Sequence, residues 1–348
     1  RVLARCRGAP GRGVPKGPPY RAAGRWRPAV ARARPGRRPP RGAVMKAFWL
    51  GMVLELTATL FGTLGKQLVC YSKRASDKRR QQLIWVLGLA ITTFLGPLSD
   101  SAAYALAAQS FVAPLSGLDI VWNALSAPFT LDEKLARMDV AGTLLVFFGA
   151  ALTAVLGPHK EERVHLDVLK GRFLSLSFLM YAAVFACGLV SSAYVLRRHP
   201  PGSGSRARAI ALGGTAGCIA GNMSFLSSAL SAVRSSVQTD DWSAFESPFP
   251  YVLIVCAGVV ALANIPFQQR GLVEYQALFM VPLFEGCHIT TACISGQVVN
   301  KDLRHAEWWR YVAYWASVLT ILAGLSCTIQ GGLGQHPGAL TSPGGTAG

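Results

Sequence analysis

The chain has 348 residues, 51% of them hydrophobic and 15% charged, and its formal net charge is +18. This composition excludes an ordinary soluble domain, and several apolar runs longer than about 18 residues indicate an all-α polytopic membrane protein. The charge does not indicate nucleic-acid binding by the body of the chain, because residues 1–44 hold 12 Arg, one Lys and no acid, which leaves only +5 on the other 304 residues.

The first 44 residues form an Arg-, Pro- and Gly-rich leader without an apolar run that can build a core, so we expect them to be disordered. Met45 directly precedes the first apolar run. Three interpretations of the leader stay open: translated sequence upstream of a start at Met45, an organelle transit peptide, and an arm for nucleic acid or acidic lipid. A Gly- and Pro-rich tail at 332–348 is predicted to be disordered as well.

Between these ends, apolar runs separated by charged or Pro/Gly-rich loops predict about nine transmembrane helices in one transporter domain, residues 45–331. The predicted spans are 47–71, 82–107, 109–131, 139–157, 173–196, 208–233, 250–267, 272–298 and 307–330. The loops 73–80 and 197–208 are basic and are therefore predicted to be cytoplasmic, which places the N-terminus outside and the C-terminus inside. The eight cysteines include no C-x-x-C pair and are interpreted as small apolar fillers.

The third and eighth spans resemble each other in sequence. Residues 107–135 superpose on 272–303 with Pro114 over Pro282, and an acid follows the proline in both. Because the matching spans are five apart, the two copies must lie in opposite orientations. We therefore predict an inverted five-helix repeat whose final helix is missing. The two units are placed at about 47–196 and 208–330.

The sequence resembles the NIPA-type magnesium transporters, an EamA-like family of the drug/metabolite transporter superfamily, in the order of its spans and in three stretches. The stretches are 102–133 (AAYALAAQSFVAPLSGLDIVWNALSAPFTLDE), 251–299, and the Gly-rich ninth span. The resemblance implies about nine helices and transport of divalent cations, magnesium above all. One departure is that Gly96-Pro97 stands where typical members have Gly-Glu. The acid appears instead at Asp100, three residues further along the same helix face.

Ionisable residues inside the spans are the best candidates for the ion path, because each is costly in lipid unless it faces a cavity or a partner. Asp119 and Glu285 lie near the centres of the third and eighth spans, and inverted repeats bring such midpoints together. Magnesium takes oxygen ligands and commonly uses one or two carboxylates together with waters. We therefore predict Asp119 and Glu285 as metal ligands and Asn123, one turn beyond Asp119, as a further ligand. Interhelical hydrogen bonding by the two acids is the alternative.

Glu55 in the first span and Asp100 near the end of the second are also assigned to the ion path. The alternatives are a Glu55 carboxylate paired with Lys66 and an Asp100 that is merely solvated. Pro114 and Pro282 each free a backbone carbonyl one turn upstream. Such a carbonyl can line an ion path, while a simple packing kink is the alternative.

The predicted function is a membrane transporter for Mg²⁺ or a related divalent cation, with a hydrated site between two inverted repeats. The alternative is a drug/metabolite-type carrier of a small organic solute such as a nucleotide sugar. That site would need an intramembrane Lys or Arg to pair with phosphate, and Lys66, the only strong candidate, is placed near a span end.

No enzyme is predicted, because the sequence contains no paired membrane His motif and no G-x-S-x-G elbow. No cofactor is predicted either, and Mg²⁺ enters only as the transported substrate. The predicted partners are the lipid bilayer and a divalent cation, without nucleic acid, and a homodimer is left open. We expect an integral, multi-pass protein of the plasma membrane or an endomembrane, or of an organelle membrane if the leader is a transit peptide.

Overall fold

The computed structural model describes residues 41–72, 75–107, 109–130, 137–157, 166–222, 224–239, 243–301, 303–304 and 306–335. All the regular secondary structure in these ranges is helical. Most of the predicted leader and most of the predicted tail lie outside the described residues.

The helices follow one another as α1 (Arg41–Ser72), α2 (Lys78–Ala90), α3 (Gly96–Leu106), α4 (Gln109–Leu115), α5 (Leu118–Thr130), α6 (Arg137–Leu156), α7 (Leu166–Phe173), α8 (Leu176–Arg198), α9 (Arg206–Ala220), α10 (Ser224–Thr239), α11 (Ser243–Glu246), α12 (Phe249–Glu274), α13 (Ala277–Ser295) and α14 (Trp308–Gln335). A π-helical turn, Ile91–Leu95, joins α2 to α3, and another, Gly296–Asn300, follows α13.

Seven helical stretches of the described chain are long and apolar enough to cross a membrane, which is the architecture of a polytopic all-α membrane protein. They are Phe48–Ser72, Lys78–Leu106, Leu176–Arg198, Arg206–Leu230, Phe249–Glu274, Ala277–Asn300 and Trp308–Gln330. The other two predicted spans fall on α4 with α5 and on the 20-residue helix α6.

The third predicted span is two helices rather than one, a difference that starts at Pro114. The chain leaves the helix at Ser116 and Gly117, where the Gly117 amide donates to the Pro114 carbonyl at 3.2 Å in a tight turn. A Cβ on Gly117 would lie 3.2 Å from Cδ1 of Ile289, so the turn packs directly against α13. The predicted counterpart of this span, α13, continues through Pro282 without a break.

The sixth predicted span contains a helix break between α9 and α10, within the apolar stretch Arg206–Leu230, because a side chain competes for a helical carbonyl. Nδ2 of Asn222 donates to the carbonyl of Cys218 at 2.9 Å, and its Oδ1 accepts the Tyr181 hydroxyl at 2.7 Å. The seventh span instead runs further than predicted, to Glu274, since Pro266 is accommodated inside α12. An Asn that binds backbone carbonyls ends a helix here where hydrophobicity alone predicts continuity.

The helices α6 and α14 pack with their backbones in close approach. A Cβ on Gly142 would lie 2.5 Å from the carbonyl oxygen of Gly324, and a Cβ on Gly324 would lie 2.6 Å from that of Gly142. At the other end of the pair, the Arg310 guanidinium donates to the Leu156 carbonyl at 3.4 Å. Residue numbers rise along one helix as they fall along the other, so the pair is antiparallel.

A buried ion pair joins the start of α9 to the end of α12. Nε and NH2 of Arg208 donate to the two carboxylate oxygens of Glu274 at 2.6 and 2.7 Å, and NH1 donates to the His199 carbonyl at 2.9 Å. The Arg208 side chain is 5% exposed and that of Glu274 18%. The bidentate geometry therefore ties the end of α8 and two further helices together at one end of the bundle.

Arg208→Ala is expected to lower the free energy of unfolding by about 3 kcal/mol, because it leaves the largely buried Glu274 carboxylate unpaired. Arg208→Met combined with Glu274→Leu removes both charges and is expected to recover most of the loss. The measurement is the thermal unfolding midpoint of the purified protein in detergent. A double variant no more stable than Arg208→Ala would contradict this account of the pair.

Candidate ion-binding site

A cavity of about 130 Å³ lies among α1, α3, α5, α12 and α13. Four of its lining residues are the acids Glu55, Asp100, Asp119 and Glu285. A water molecule needs roughly 10–15 Å³ of such space and two to four polar partners, so this cavity has room and partners for several waters. The structure thus brings the four intramembrane acids named from the sequence to one polar space in the bundle.

The ammonium of Lys66 lies between two of these acids. Its Nζ contacts Oδ2 of Asp119 and lies 2.7 Å from Oε1 of Glu285. None of the three side chains is more than 7% exposed. The Phe284 ring centroid is 4.9 Å from Nζ, within cation–π range. Two carboxyl groups thus share one ammonium, and the three groups together have a formal charge of −1 when both acids are ionised.

The remaining carboxylate oxygens of this pair are engaged by the protein as well. The Thr63 hydroxyl contacts Oδ1 of Asp119 and lies 3.1 Å from the Asp119 carbonyl oxygen. Nδ1 of His288 lies 3.3 Å from Oε2 of Glu285. Every oxygen of the two carboxylates therefore has a protein partner, and the pair is fully coordinated by its surroundings in this conformation.

Lys66 is the residue whose role the sequence analysis missed. Its Cα lies near the end of α1, which suggested a position near the membrane surface. Helical side chains point back toward the N-terminus, however, and the four-carbon stem of a lysine carries the ammonium most of the way to the preceding turn. The sequence signal that could have found it was the same one used for the acids, namely an ionisable group inside an apolar run.

Glu55 and Asp100 form the other acidic part of the cavity, and their carboxyl groups are close enough to interact. Glu55 is 1% exposed, and its Oε2 has no hydrogen-bond partner. Lys66, its alternative partner, is engaged by the other two acids. Two neighbouring carboxyl groups repel one another when both are ionised, and a cation between them relieves that repulsion.

In the described part of the chain, no group of three or more His, Cys, Asp and Glu side chains is arranged to hold a metal ion. At Asp119 and Glu285, one oxygen of each carboxylate contacts the Lys66 ammonium. The pair predicted to bind a metal therefore holds a cation that belongs to the protein.

Asn123 and the two prolines do not line the cavity. Asn123 is buried and accepts from Nε2 of Gln67 at 3.4 Å. The carbonyl that Pro114 frees, that of Ser110, accepts the hydroxyl of Tyr314 at 2.8 Å and so joins α4 to α14. Pro282 is buried inside α13.

A polar network at the start of α4 joins several helices at one end of the bundle. Nε2 of Gln109 donates to the Ala292 carbonyl at 2.8 Å, and Nδ2 of Asn300 donates to Oε1 of Gln109 at 3.1 Å. Asn300 also accepts from Ser228 at 2.9 Å through its side chain and from Arg172 at 2.6 Å through its carbonyl. Because these groups bind one another, they link α4, α7, α10 and the end of α13 at the side predicted to face outward.

The model of the family described as "Magnesium transporter NIPA" matches residues 66–329, about three quarters of the chain. The chain belongs to the NIPA magnesium transporter family. This membership confirms the resemblance inferred from the sequence. Together with the seven apolar helices, it makes the protein an integral, multi-pass membrane protein and a cation transporter.

Curated relatives in the NIPA family are similar at low identity. The probable magnesium transporter NIPA1 of Arabidopsis thaliana is 22% identical over 240 residues, which cover 69% of this chain and 70% of the relative. The probable magnesium transporter NIPA3 of the same plant is 23% identical over 290 residues, or 79% and 76% of the two chains. NIPA-like protein 2 of Mus musculus is 23% identical over 156 residues, or 41% and 40%. No solved structure matches the chain.

Proposed function

We propose that the protein carries Mg²⁺ or a related divalent cation through the acid-lined cavity. The proposal rests on the four carboxyl groups that line one cavity inside the helix bundle. Ionisable groups inside a membrane are energetically unfavourable, so their concentration at one cavity indicates an ion path. Hard cations prefer oxygen ligands, and magnesium keeps several of its waters, which a cavity of about 130 Å³ accommodates. The relatives named as probable magnesium transporters support the choice of ion.

The packing of the helices supports nine spans arranged as two units of opposite orientation. The helices α6 and α14, equivalent in the two units, are antiparallel. The third and eighth spans are antiparallel too, because Gln109 contacts Ala292 while Gly117 faces Ile289 further along. Such a pair meets at a pseudo-two-fold axis, and rocking of one unit against the other exposes the shared site to each side in turn.

No separate energy source is needed for inward movement of such an ion. One elementary charge gains about 2.3 kcal/mol per 100 mV, so a divalent cation gains about 4.6 kcal/mol when it moves toward a negative interior.

Carriage of an organic anion is less well supported by the site. Lys66 does place a cation in the cavity, as a phosphate-binding site requires. Its ammonium is nevertheless held by two carboxylates, and the other two acids face the same space. A phosphate entering this cavity meets four acidic side chains and one ammonium, and every ionised acid opposes its binding.

The test is uptake into proteoliposomes that contain the purified protein and an internal Mg²⁺ indicator dye. We expect saturable uptake that increases when a potassium gradient and valinomycin make the interior negative, and no uptake into protein-free vesicles. Parallel vesicles receive a labelled nucleotide sugar. Uptake of the organic solute without uptake of any divalent cation would overturn the proposal.

A further inference from the structure

We infer that Lys66 is an internal substitute for the transported cation: its ammonium neutralises Asp119 and Glu285 while no ion is bound, and an arriving ion displaces it. The inference rests on the proposed function and adds to it how the empty site is stabilised. Lys66 competes with the ion for the same carboxylate oxygens, so it sets the apparent affinity without being a ligand.

The contacts of the site distinguish this role from a simple structural ion pair. Lys66 contacts two acids rather than one, so it keeps a partner when an ion takes one carboxylate. The flexible stem of a lysine allows that change at little cost. The ammonium also borders the cavity through which an ion must approach.

The arriving ion has a first binding position in the cavity, which it occupies before it displaces the ammonium. Glu55 and Asp100 line the same cavity, and Oε2 of Glu55 is buried without a hydrogen-bond partner. A divalent ion held there shares the cavity with the Lys66 ammonium and repels it, while it attracts the two carboxylates that the ammonium occupies. The pair Glu55 and Asp100, which Lys66 does not contact, therefore binds the ion first, and the pair Asp119 and Glu285 binds it second.

The charge of the empty site explains why a carrier needs such a residue. Without the ammonium, the ionised forms of Asp119 and Glu285 would carry −2 through each return movement in a medium of low dielectric constant, and an uncompensated buried charge is strongly unfavourable. With it, the three groups carry −1. Net uptake requires this empty return, whereas exchange of one bound ion for another does not.

The experiment compares net uptake into Mg²⁺-free proteoliposomes with exchange of a Mg²⁺ isotope into vesicles loaded with Mg²⁺. In Lys66→Met we expect net uptake to fall at least about tenfold while exchange stays within about threefold of wild type, and the half-saturating concentration for exchange to decrease. Lys66→Arg keeps the charge and is expected to keep more net uptake than Lys66→Met. Retained exchange shows in the same assay that the Lys66→Met protein is folded.

A second variant keeps the inference falsifiable if Lys66→Met alone is not produced. In Glu285→Gln the Lys66 ammonium has only Asp119 as a charged partner, so it neutralises that carboxylate and excludes the ion. The double variant Lys66→Met with Glu285→Gln is therefore expected to take up at least about threefold more Mg²⁺ than Glu285→Gln alone. The inference is overturned if Lys66→Met loses net uptake and exchange equally or retains both, or if the double variant shows no recovery. Absence of divalent uptake by the wild-type protein overturns the proposed function itself, which separates the two failures.

Discussion

Glu285→Gln and Asp119→Asn are each expected to lower Mg²⁺ uptake by at least about tenfold. Either change removes one of the two carboxylates that share the Lys66 ammonium, so the remaining acid and the ammonium cancel. At an effective dielectric constant of about 20, a divalent ion 4 Å from a carboxylate gains about 8 kcal/mol from it. A tenfold effect needs only about 1.4 kcal/mol, so the expectation holds even if relaxation and screening remove most of the attraction.

The measurement is Mg²⁺ uptake by cells that lack their own magnesium transport, with uptake normalised to the amount of protein in the membrane. Glu246→Gln is the matched control, since it makes the same chemical change at an exposed acid in the short helix α11. We expect that variant to transport like the wild type. If all three variants transport equally, the ion path lies elsewhere in the bundle and the assignment of both acids is wrong.

Gly217→Ala is expected to lower the free energy of unfolding by at least about 3 kcal/mol, at the upper end of overpacking effects. A Cβ at this position of α9 would overlap the carbonyl oxygen of Phe284 and lie 2.8 Å from Cβ of Cys287. Because the obstacle is the backbone of α13, a change of rotamer does not relieve it, and the two helices must separate. Phe284 and Glu285 belong to the site, so we expect lower uptake as well as lower stability.

Gly258→Ala is the control for Gly217→Ala, since both put the same methyl group on a helix. A Cβ on Gly258 of α12 meets no atom within 4 Å. The higher helix propensity of Ala favours this variant by up to about 1 kcal/mol. The thermal midpoints of the two variants in detergent should therefore move in opposite directions. A shared direction would show that the approach of α9 to α13 does not limit stability.

The sequence was sufficient to predict the helical membrane class and most of the spans, because runs of apolar residues long enough to cross a bilayer leave few alternatives. It also named the acids Asp119 and Glu285, which the structure places on either side of one ammonium. The helix breaks were less predictable. The break at Asn222 depends on a hydroxyl from α8, a tertiary contact that no local pattern contains.

Two other site details depended on contacts between distant segments. Asn123 shares a helix with Asp119, yet it binds Gln67 rather than the cavity, since a spacing of one turn fixes the helix face only approximately. The position of the Lys66 ammonium depends on the direction of a long side chain and on two partners, 53 and 219 residues away. Hydropathy reports where a Cα lies in the membrane and does not report how far a flexible stem extends.

The ammonium of Lys66 belongs to α1, while its two partners belong to α5 and α13. Three helices are therefore held together at one point by opposite charges. Because added salt screens buried charges much less than exposed ones, we expect this cohesion to persist at high ionic strength.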